Sequence, residues 1–444
     1  MPGVGGASTP TATGTVYVVG SATAVPTGAV RVASFAAVPW ATLQPGSTVL
    51  VSPGTYTSAM TVTSQGTSAA PIVIGAADAS NPPVLTASVD FQGASYVKVS
   101  GMSIQSPAYG GVILRSGANH VTVSNNTING APIGIHVTTG SGTGHQILAN
   151  KVTTSSVNGI GVDVNSIASD RTLIAYNLVD GSGTHGIEIH ASHYQIDYNT
   201  VTRSGLTSYG SSGIHLYATS AQDDAGDDNI VRYNATYNNF DTGAFDGNGI
   251  EADQWCDSNL IAFNISWSND GAGIVVYDAQ NNVVQGNTMY GNVRDPGGTH
   301  SSGADLVINS SSLNRTSANV IRDNLVVSTQ SAARSIYVAP NATTAGNVVG
   351  PNMYYNTLGG KIMRWADNDA IQYQTVAQIN AATGTTGNLV EAPVFSNASA
   401  PLSDGFKLTT APSATGLYLA GQTDRAGQTA VSGWSFFGAY FTKR

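Results

Sequence analysis

Charge is what this sequence has least of. Asp, Glu, Lys and Arg make up 10% of its 444 residues, where globular chains carry about 25%. Its 26 acids outnumber its 17 Lys and Arg, giving a formal net charge of −9. With no basic stripe to neutralise phosphates, a general nucleic-acid binder is excluded. The balance also gives no global attraction for a polyanion, which leaves only a local basic cleft for such a ligand. There is one cysteine, Cys256, so no intramolecular disulfide forms and stability must come from burial and backbone ladders. No apolar run reaches the roughly 18 residues a membrane span needs. No signal peptide is visible in the opening MPGVGGASTPTATGT, and residues 1–14 read as a flexible lead-in.

Glycine (51 residues), Ser, Thr and Asn fill the space that charge leaves, and 41% of the chain is hydrophobic. This is a turn-rich β composition with enough apolar material for a sizeable core. The arrangement is repetitive. A unit of the form apolar-x-x-Asn ends at Asn126, Asn150, Asn177, Asn199, Asn234, Asn264, Asn287, Asn324 and Asn352. After most of these comes a turn and then a Gly-apolar step, at Gly134, Gly159, Gly186, Gly213, Gly249 and Gly273, with spacings of 25, 27, 27, 36 and 24. The segments between turns are too short for helices and alternate with period two. A coil that cannot bury its own apolar residues must stack on its neighbours. The expected fold is therefore all-β: a parallel β-helix of roughly 10–12 coils, capped at both ends, whose right hand is what the resemblance described below implies. The Asn column reads as a structural corner, because Asn tolerates left-handed backbone and can hydrogen-bond along a stack. Tyr176, Tyr198, Tyr233 and Phe263 read as an aromatic stack beside it.

One domain is expected over 15–444, divided into a cap and first coils (15–90), regular coils (91–355) and a capping region (356–444) that folds back on the solenoid. AVPWATL and DNDAIQYQTVAQINAAT are expected to hold short helices.

PGSTVLVSPGTYTSAMTVTSQGTSAAPIVIGA resembles the opening of bacterial right-handed β-helix proteins of the pectate-lyase-like superfamily, with Ser47 where an Asp is usual. DGNGIEADQWCDSNLIAFNISWSNDGAGIVVYDAQNNVVQGNTMYGN resembles their repeat core, and EAPVFSNASAPLSDGFKLTTAPSATG with FFGAY their carboxy-terminal signature. The resemblance implies a carbohydrate-active protein, secreted or periplasmic, with a polysaccharide or oligosaccharide partner. It does not choose among lyase, hydrolase and epimerase. A monomer is expected.

Register allows a sharper expectation. The residues after each Gly (Ile135, Ile160, Ile187, Ile214, Ile250, Ile274) should point inward, so those two and four after each Gly point outward. The first outward column is His136, Gly161, Glu188, His215, Glu251, Val275. The second is Thr138, Asp163, His190, Tyr217, Asp253, Tyr277. A charge-poor chain thus gathers carboxylates, imidazoles and phenols on one face, the kind of cluster that perturbs pKa values and marks sites. Extra residues at 204–212, 238–248 and 292–302 should wall that face.

Three functions follow as expectations. In a glycoside hydrolase, Glu251 is the general acid and Asp253 or Asp246 the base, with Glu188 a further carboxylate. Neighbouring outward positions about 7 Å apart suit inversion, which needs about 6.5–9.5 Å. His190, His215, Tyr217, Asp163 and Asp241 would bind substrate, and Tyr277 and Trp255 would stack on sugar rings, with packing an equal role for Trp255. In a lyase or uronate epimerase, His190, His215 or Tyr217 supplies the base and Ca²⁺ is held by Asp223, Asp224, Asp227 and Asp228, although that loop lacks EF-hand spacing. Neither outward column contains Lys, which favours hydrolysis. The third is a non-catalytic glycan-binding surface. His185, His190 and His193 do not make a zinc site on this reading.

Overall fold

A computed structural model describes residues 14–21, 25–165, 170–223, 225–243, 246–295, 303–368, 370–371, 373–417 and 420–444. Two compact units are distinguished, Met1–Asp180 and Gly181–Arg444.

In each unit short strands fall in turn on three parallel sheets, and each strand pairs with its equivalent one coil away. In the first unit Thr122–Ser124 pairs with Gln146–Leu148 on the first sheet, Thr127–Asn129 with Lys151–Ser155 on the second, and Ile133–Val137 with Gly110–Arg115 and Ile160–Asn165 on the third. The second unit repeats the order: Ile230–Arg232, Ala235–Tyr237 and Asp246–Ala252 make one coil, and each pairs with the next. This is the stacked parallel helix that the repeat predicts. Ile135, Ile160, Ile187, Ile214, Ile250 and Ile274 are all fully buried.

The Asn column is a buried hydrogen-bond ladder. Along the column an Oδ1 accepts both the backbone N–H and the Nδ2 of the Asn one coil before, as at Asn126–Asn150 (3.0 and 3.0 Å) and Asn234–Asn264 (2.8 and 3.0 Å), while Asn126 Oδ1 itself accepts the Met102 N–H. The left-handed backbone, however, falls on the residue before most of these Asn: φ is 53° at Ala149, 60° at Tyr176, 56° at Tyr198, 62° at Tyr233 and 56° at Phe263, Pro351 before Asn352 being an exception. The Asn must turn inward to bond along the stack, so its predecessor takes the unusual φ. Bulky residues pay strain there. In the second unit Tyr198, Tyr233 and Phe263 stack at 4.6 and 5.8 Å between centroids, whereas Tyr176 in the first unit is exposed.

Two further ladders run beside this one in the second unit. Asn229–Asn259–Asn282–Asn319–Asn347 lies five residues earlier, and Asn239–Asn269–Asn292 five residues later, ending on Asp305.

The expected short helix near AVPWATL is a pair of 3₁₀ turns, Phe35–Ala37 and Trp40–Thr42. The later one is an α-helix, Val376–Thr383, opened by a Thr375/Gln378 capping box and closed by Gly384 at φ 67°. Beyond it, Leu389–Val390 pairs with Met353–Asn356. The tail then folds back over outward aromatics of its own unit. Phe441 packs on Phe263 and Phe406 on Trp267, with ring centroids 5.6 and 6.0 Å apart.

Candidate active site

The third sheet of the second unit carries the predicted columns. Glu188 pairs in register with His215, His215 with Glu251, and Glu251 with Val275. Alternation along Ile187–Ala191, Ser211–Leu216 and Asp246–Ala252 therefore puts two carboxylates and an imidazole side by side, about 4.8 Å apart per rung.

Sequence reasoning missed the residues three before this column. Ser212 Oγ donates to Glu251 Oε2 (2.6 Å), Asn248 Nδ2 donates to the same oxygen (3.1 Å), and His185 Nε2 lies 3.7 Å from Glu188 Oε1. The cause is the glycine after each. At Gly186 a Cβ would stand 2.2 Å from the core atom Val201 Cγ1, and at Gly249 2.0 Å from buried Ser266 Oγ. The glycine and the Ile after it both face inward, so period-two counting slips by one and the residue before the glycine returns to the outer face. The polar residues standing directly before the glycines (His185, Ser212, Asn248) were the available signal.

Asp246 lies on the strand Asp246–Ala252 and not on the loop before it. Ser211 pairs with Asp246 and Ser212 with Asn248, leaving Gly247 as an extra residue in a bulge. Asp246 (φ 64°) and Gly247 (φ 66°) are both left-handed. Bulges beside active sites re-aim side chains, and here Asn248 Nδ2 reaches Asp246 Oδ1 (3.3 Å) as well as Glu251. Ala272 N–H holds Asn248 by its Oδ1 (2.8 Å). A hollow of about 350 Å³ opens over these acids, lined by Asp246, Glu251, Asp253, Gln254, Val275, Tyr277, Val307 and Asn309 and by no basic residue among those described.

The electrostatics follow from burial among like charges. Burial raises the Glu251 carboxyl, 5% exposed, and Asp253 raises it further; His215 and the two hydrogen bonds pull the other way. Asp246 is pushed well above the usual carboxylate range by burial and then by Glu251. Two carboxyls crowded into one site cannot both ionise readily. Burial alone would lower His215, but Asp253 (Oδ2 3.4 Å from Nε2), Glu188 (Oε1 3.9 Å from Nδ1) and Glu251 outweigh it, and the imidazole is held well above its ordinary value.

His185 stacks on His215 with centroids 4.1 Å apart and planes 9° apart. Burial, and then the neighbouring His215, lowers it to about 3. The stack is one neutral and one cationic ring. His185 Nδ1 accepts the Ser212 N–H (3.1 Å), so the neutral ring carries its proton on Nε2, towards Glu188. His185, Glu188 and His215 bring ligand-type atoms within 4.8 Å of one another. A metal must lie in the plane of each imidazole that binds it, and two nearly parallel planes do not meet at such a point. The trio as arranged is a ring stack with a carboxylate 3.7 and 3.9 Å from its two imidazoles.

The other predicted residues distribute as follows. His190 Nε2 meets Asp223 Oδ2 (3.2 Å), and the His190 and His215 rings flank Tyr217 at 5.0 and 5.4 Å. Tyr277 lines the hollow. Trp255 has Arg315 4.1 Å over its ring, with Arg315 also on Asp257 (2.7 Å), so the packing role applies to it. Asp241 Oδ1 accepts the Gly243 N–H (3.1 Å) and braces its own loop. Asp163 belongs to the first unit, where it pairs with His136 (3.0 Å). In the acidic loop Asp223 accepts from Thr219 and Asp227 Oδ1 accepts the Asp257 N–H (2.6 Å), while Asp228 faces His193 (3.9 Å). Among the described residues these acids do not converge on one point; Asp224 and most of the expected wall at 292–302 lie outside them.

Compared by sequence with curated proteins, the chain matches none. Residues 87–265 match the family model described as the right handed beta helix region. A mannuronic acid specific polysaccharide family 6 lyase from human gut microbiota is similar in structure at 13% identity and TM-score 0.50, over 79% of this chain and 87% of that one. A pectate lyase is similar at 14% identity and TM-score 0.48, over 96% of each chain. A lacto-N-biosidase from Eubacterium ramulus is similar at 14% identity and TM-score 0.47, over 79% of this chain and 67% of that one. At these identities the likeness is one of fold alone, and it is the family model that names the right-handed β-helix.

Proposed function

We propose that the chain is a glycoside hydrolase acting on a neutral polysaccharide or oligosaccharide. One observation carries this reading: Asp246, raised by burial and by Glu251, and Glu251, raised by burial and by Asp253, share a hollow with Asp253 and, among the described residues, with no basic side chain in its lining. Hydrolysis needs one protonated and one ionised carboxyl across the bond. The Asp246–Glu251 pair supplies the proton, with Glu251 as the acid, held by Ser212 and Asn248. The base is Asp253 or Asp246; Asp253, beside His215 (3.4 Å), is favoured, because burial and Glu251 raise Asp246. Strand alternation sets Glu251 and Asp253 about 7 Å apart, inside the span that suits inversion. A uronate in this hollow would meet three acids, and the nearby His215 is already engaged by Asp253.

The protein fits a polysaccharide-active enzyme in its fold neighbours, three of which are named as lyases or a glycosidase. Among the described residues no helix is long and apolar enough to cross a membrane. We infer export from the substrate class, since such polymers lie outside cells.

Elimination is the second reading, favoured by the His190–Asp223 pair beside Tyr217. His215 is a poor base for it, because its carboxylate neighbours keep it protonated.

The test is a screen of neutral and acidic polysaccharides with wild type and Glu251→Gln. Reducing ends released without an unsaturated, ultraviolet-absorbing product, and a fall of about 10²–10⁴-fold in kcat for Glu251→Gln, are expected. An unsaturated product, or full activity in Glu251→Gln, would overturn the assignment.

A further inference from the structure

A larger hollow lies within the first unit. The outward position that carries Glu188, His215 and Glu251 in the second unit carries Asp90, Ile113 and His136 in the first, paired rung to rung. Arg115 stands beside them, paired with Gln92. These strands and the turns before them enclose about 660 Å³.

The chemistry here differs from that of the acidic hollow. Ile113, Pro132 and Ile133 make an apolar floor, and the Tyr109 ring stands next to it, 77% exposed. Arg115 is gripped by Asp90 through Nε (2.9 Å) and Nη2 (2.6 Å), and Gln92 Nε2 holds the same carboxylate (2.7 Å). This two-point grip fixes the guanidinium plane and turns its Nη1 edge away from Asp90. His136 Nε2 is fixed by Asp163 (3.0 Å). Oriented donors around an apolar floor, with an open aromatic ring, match a pyranose: C–H faces lie on the ring and floor, and hydroxyls reach the guanidinium and imidazole. Arg115 already has its carboxylate and His136 is bonded to Asp163, so the hollow offers no surplus positive charge to a uronate. Each carboxylate is likewise engaged, so nothing here resembles the proton-sharing acids of the second unit.

We infer that this hollow is a second, non-cleaving glycan site for neutral pyranose units of the polymer that the acidic hollow cuts. The choice of ligand class rests on the proposed function; the site itself rests on its own residues.

Affinity electrophoresis tests it, in gels containing galactomannan or xyloglucan, with alginate and polygalacturonate as acidic counterparts. Wild type should be retarded by a neutral polymer. Tyr109→Ala, which removes an exposed ring and leaves the core intact, should bind that polymer about tenfold more weakly, a loss of about 1.4 kcal/mol. Its kcat/KM on a short oligosaccharide of the same polymer should equal that of wild type. Glu251→Gln should be retarded as wild type is. Retardation of Tyr109→Ala equal to wild type overturns the site, as does wild type held only by acidic polymers or by none. If Glu251→Gln keeps full activity while Tyr109→Ala loses retardation, the hydrolase assignment falls and the glycan site stands.

Discussion

His215 is the side chain whose charge most affects its neighbours. It is the one cation packed among Glu188, Glu251 and Asp253, and it lowers both Glu251 and Asp246 relative to what burial alone would impose. Replacing it with Gln keeps a polar group of similar reach and removes the charge. The two acids should then hold their protons to higher pH. The alkaline limb of the pH–activity profile, which reports loss of the acid's proton, should move up by about one unit, with a lower rate at the optimum. A limb that stays in place, or moves down, would mean that the acid controlling the profile is not in this cluster. The outward columns were legible at this scale because alternation needs only a reference point, and the Gly-Ile step supplies one. Ser212, Asn248 and the stacking role of His185 were not legible, because the count assumes unbroken alternation and the glycine breaks it. Asp246 was legible as a candidate but not as a strand residue: a bulge is a property of pairing between coils, and FDGNG shows only its glycines.

Among the elements, the ladders set the strongest constraint. A buried Asn bonds to the coil before and after it, so each rung satisfies its neighbours' amides and leaves none orphaned. The third ladder ends differently. Asp305 replaces Asn and accepts from Asn292 N–H (2.9 Å), Asn292 Nδ2 (3.0 Å) and Ser328 Oγ (2.7 Å). Burial raises it to about 6 despite these bonds. A folded-state pKa above the unfolded one means stability that is full below the unfolded value, near 3.9, and is lost as pH rises through about 6. Asp305→Asn keeps an acceptor for Asn292 and cannot ionise. It should raise the unfolding midpoint relative to wild type at pH 8, by an amount on the order of 1–3 kcal/mol, and the gain should shrink towards zero at pH 4. A gain that is equal at both pH values would contradict the linkage. The first ladder was visible in the sequence because an apolar strand precedes each Asn. The second and third were hidden in a composition full of Asn, and only the five-residue offset (Asn229 and Asn234, Asn259 and Asn264, Asn282 and Asn287) marks them.

At the scale of the whole molecule, the tail of the second unit shows how a solenoid manages an aromatic outer face. Tyr233, Phe263 and Trp267 point outward from their coils and, left uncovered, would form an exposed aromatic patch. They are covered by Phe406, Phe436, Phe441 and Tyr440 from the tail, with Tyr233 Oη bonding the Thr423 carbonyl (3.0 Å) and Ala439 N–H bonding Thr288 Oγ1 (2.9 Å). The fold-back was expected from FFGAY and the loss of repeat, yet its target was not. The aromatic column read as self-stacking, and nothing along the chain says that residues 190 positions apart share a hydrogen bond. Phe436 is fully buried, so Phe436→Ala should weaken tail docking by about 3–5 kcal/mol, without touching the acidic hollow on the third sheet. Limited proteolysis should then cut within 411–435 under conditions where wild type is resistant, and an apolar dye should bind the uncovered aromatics. Because the coils keep their own ladders and core, activity should survive the first cleavage. Loss of activity in step with tail release would instead show that the tail holds the catalytic coils in register, and the two outcomes separate a cover from a clamp.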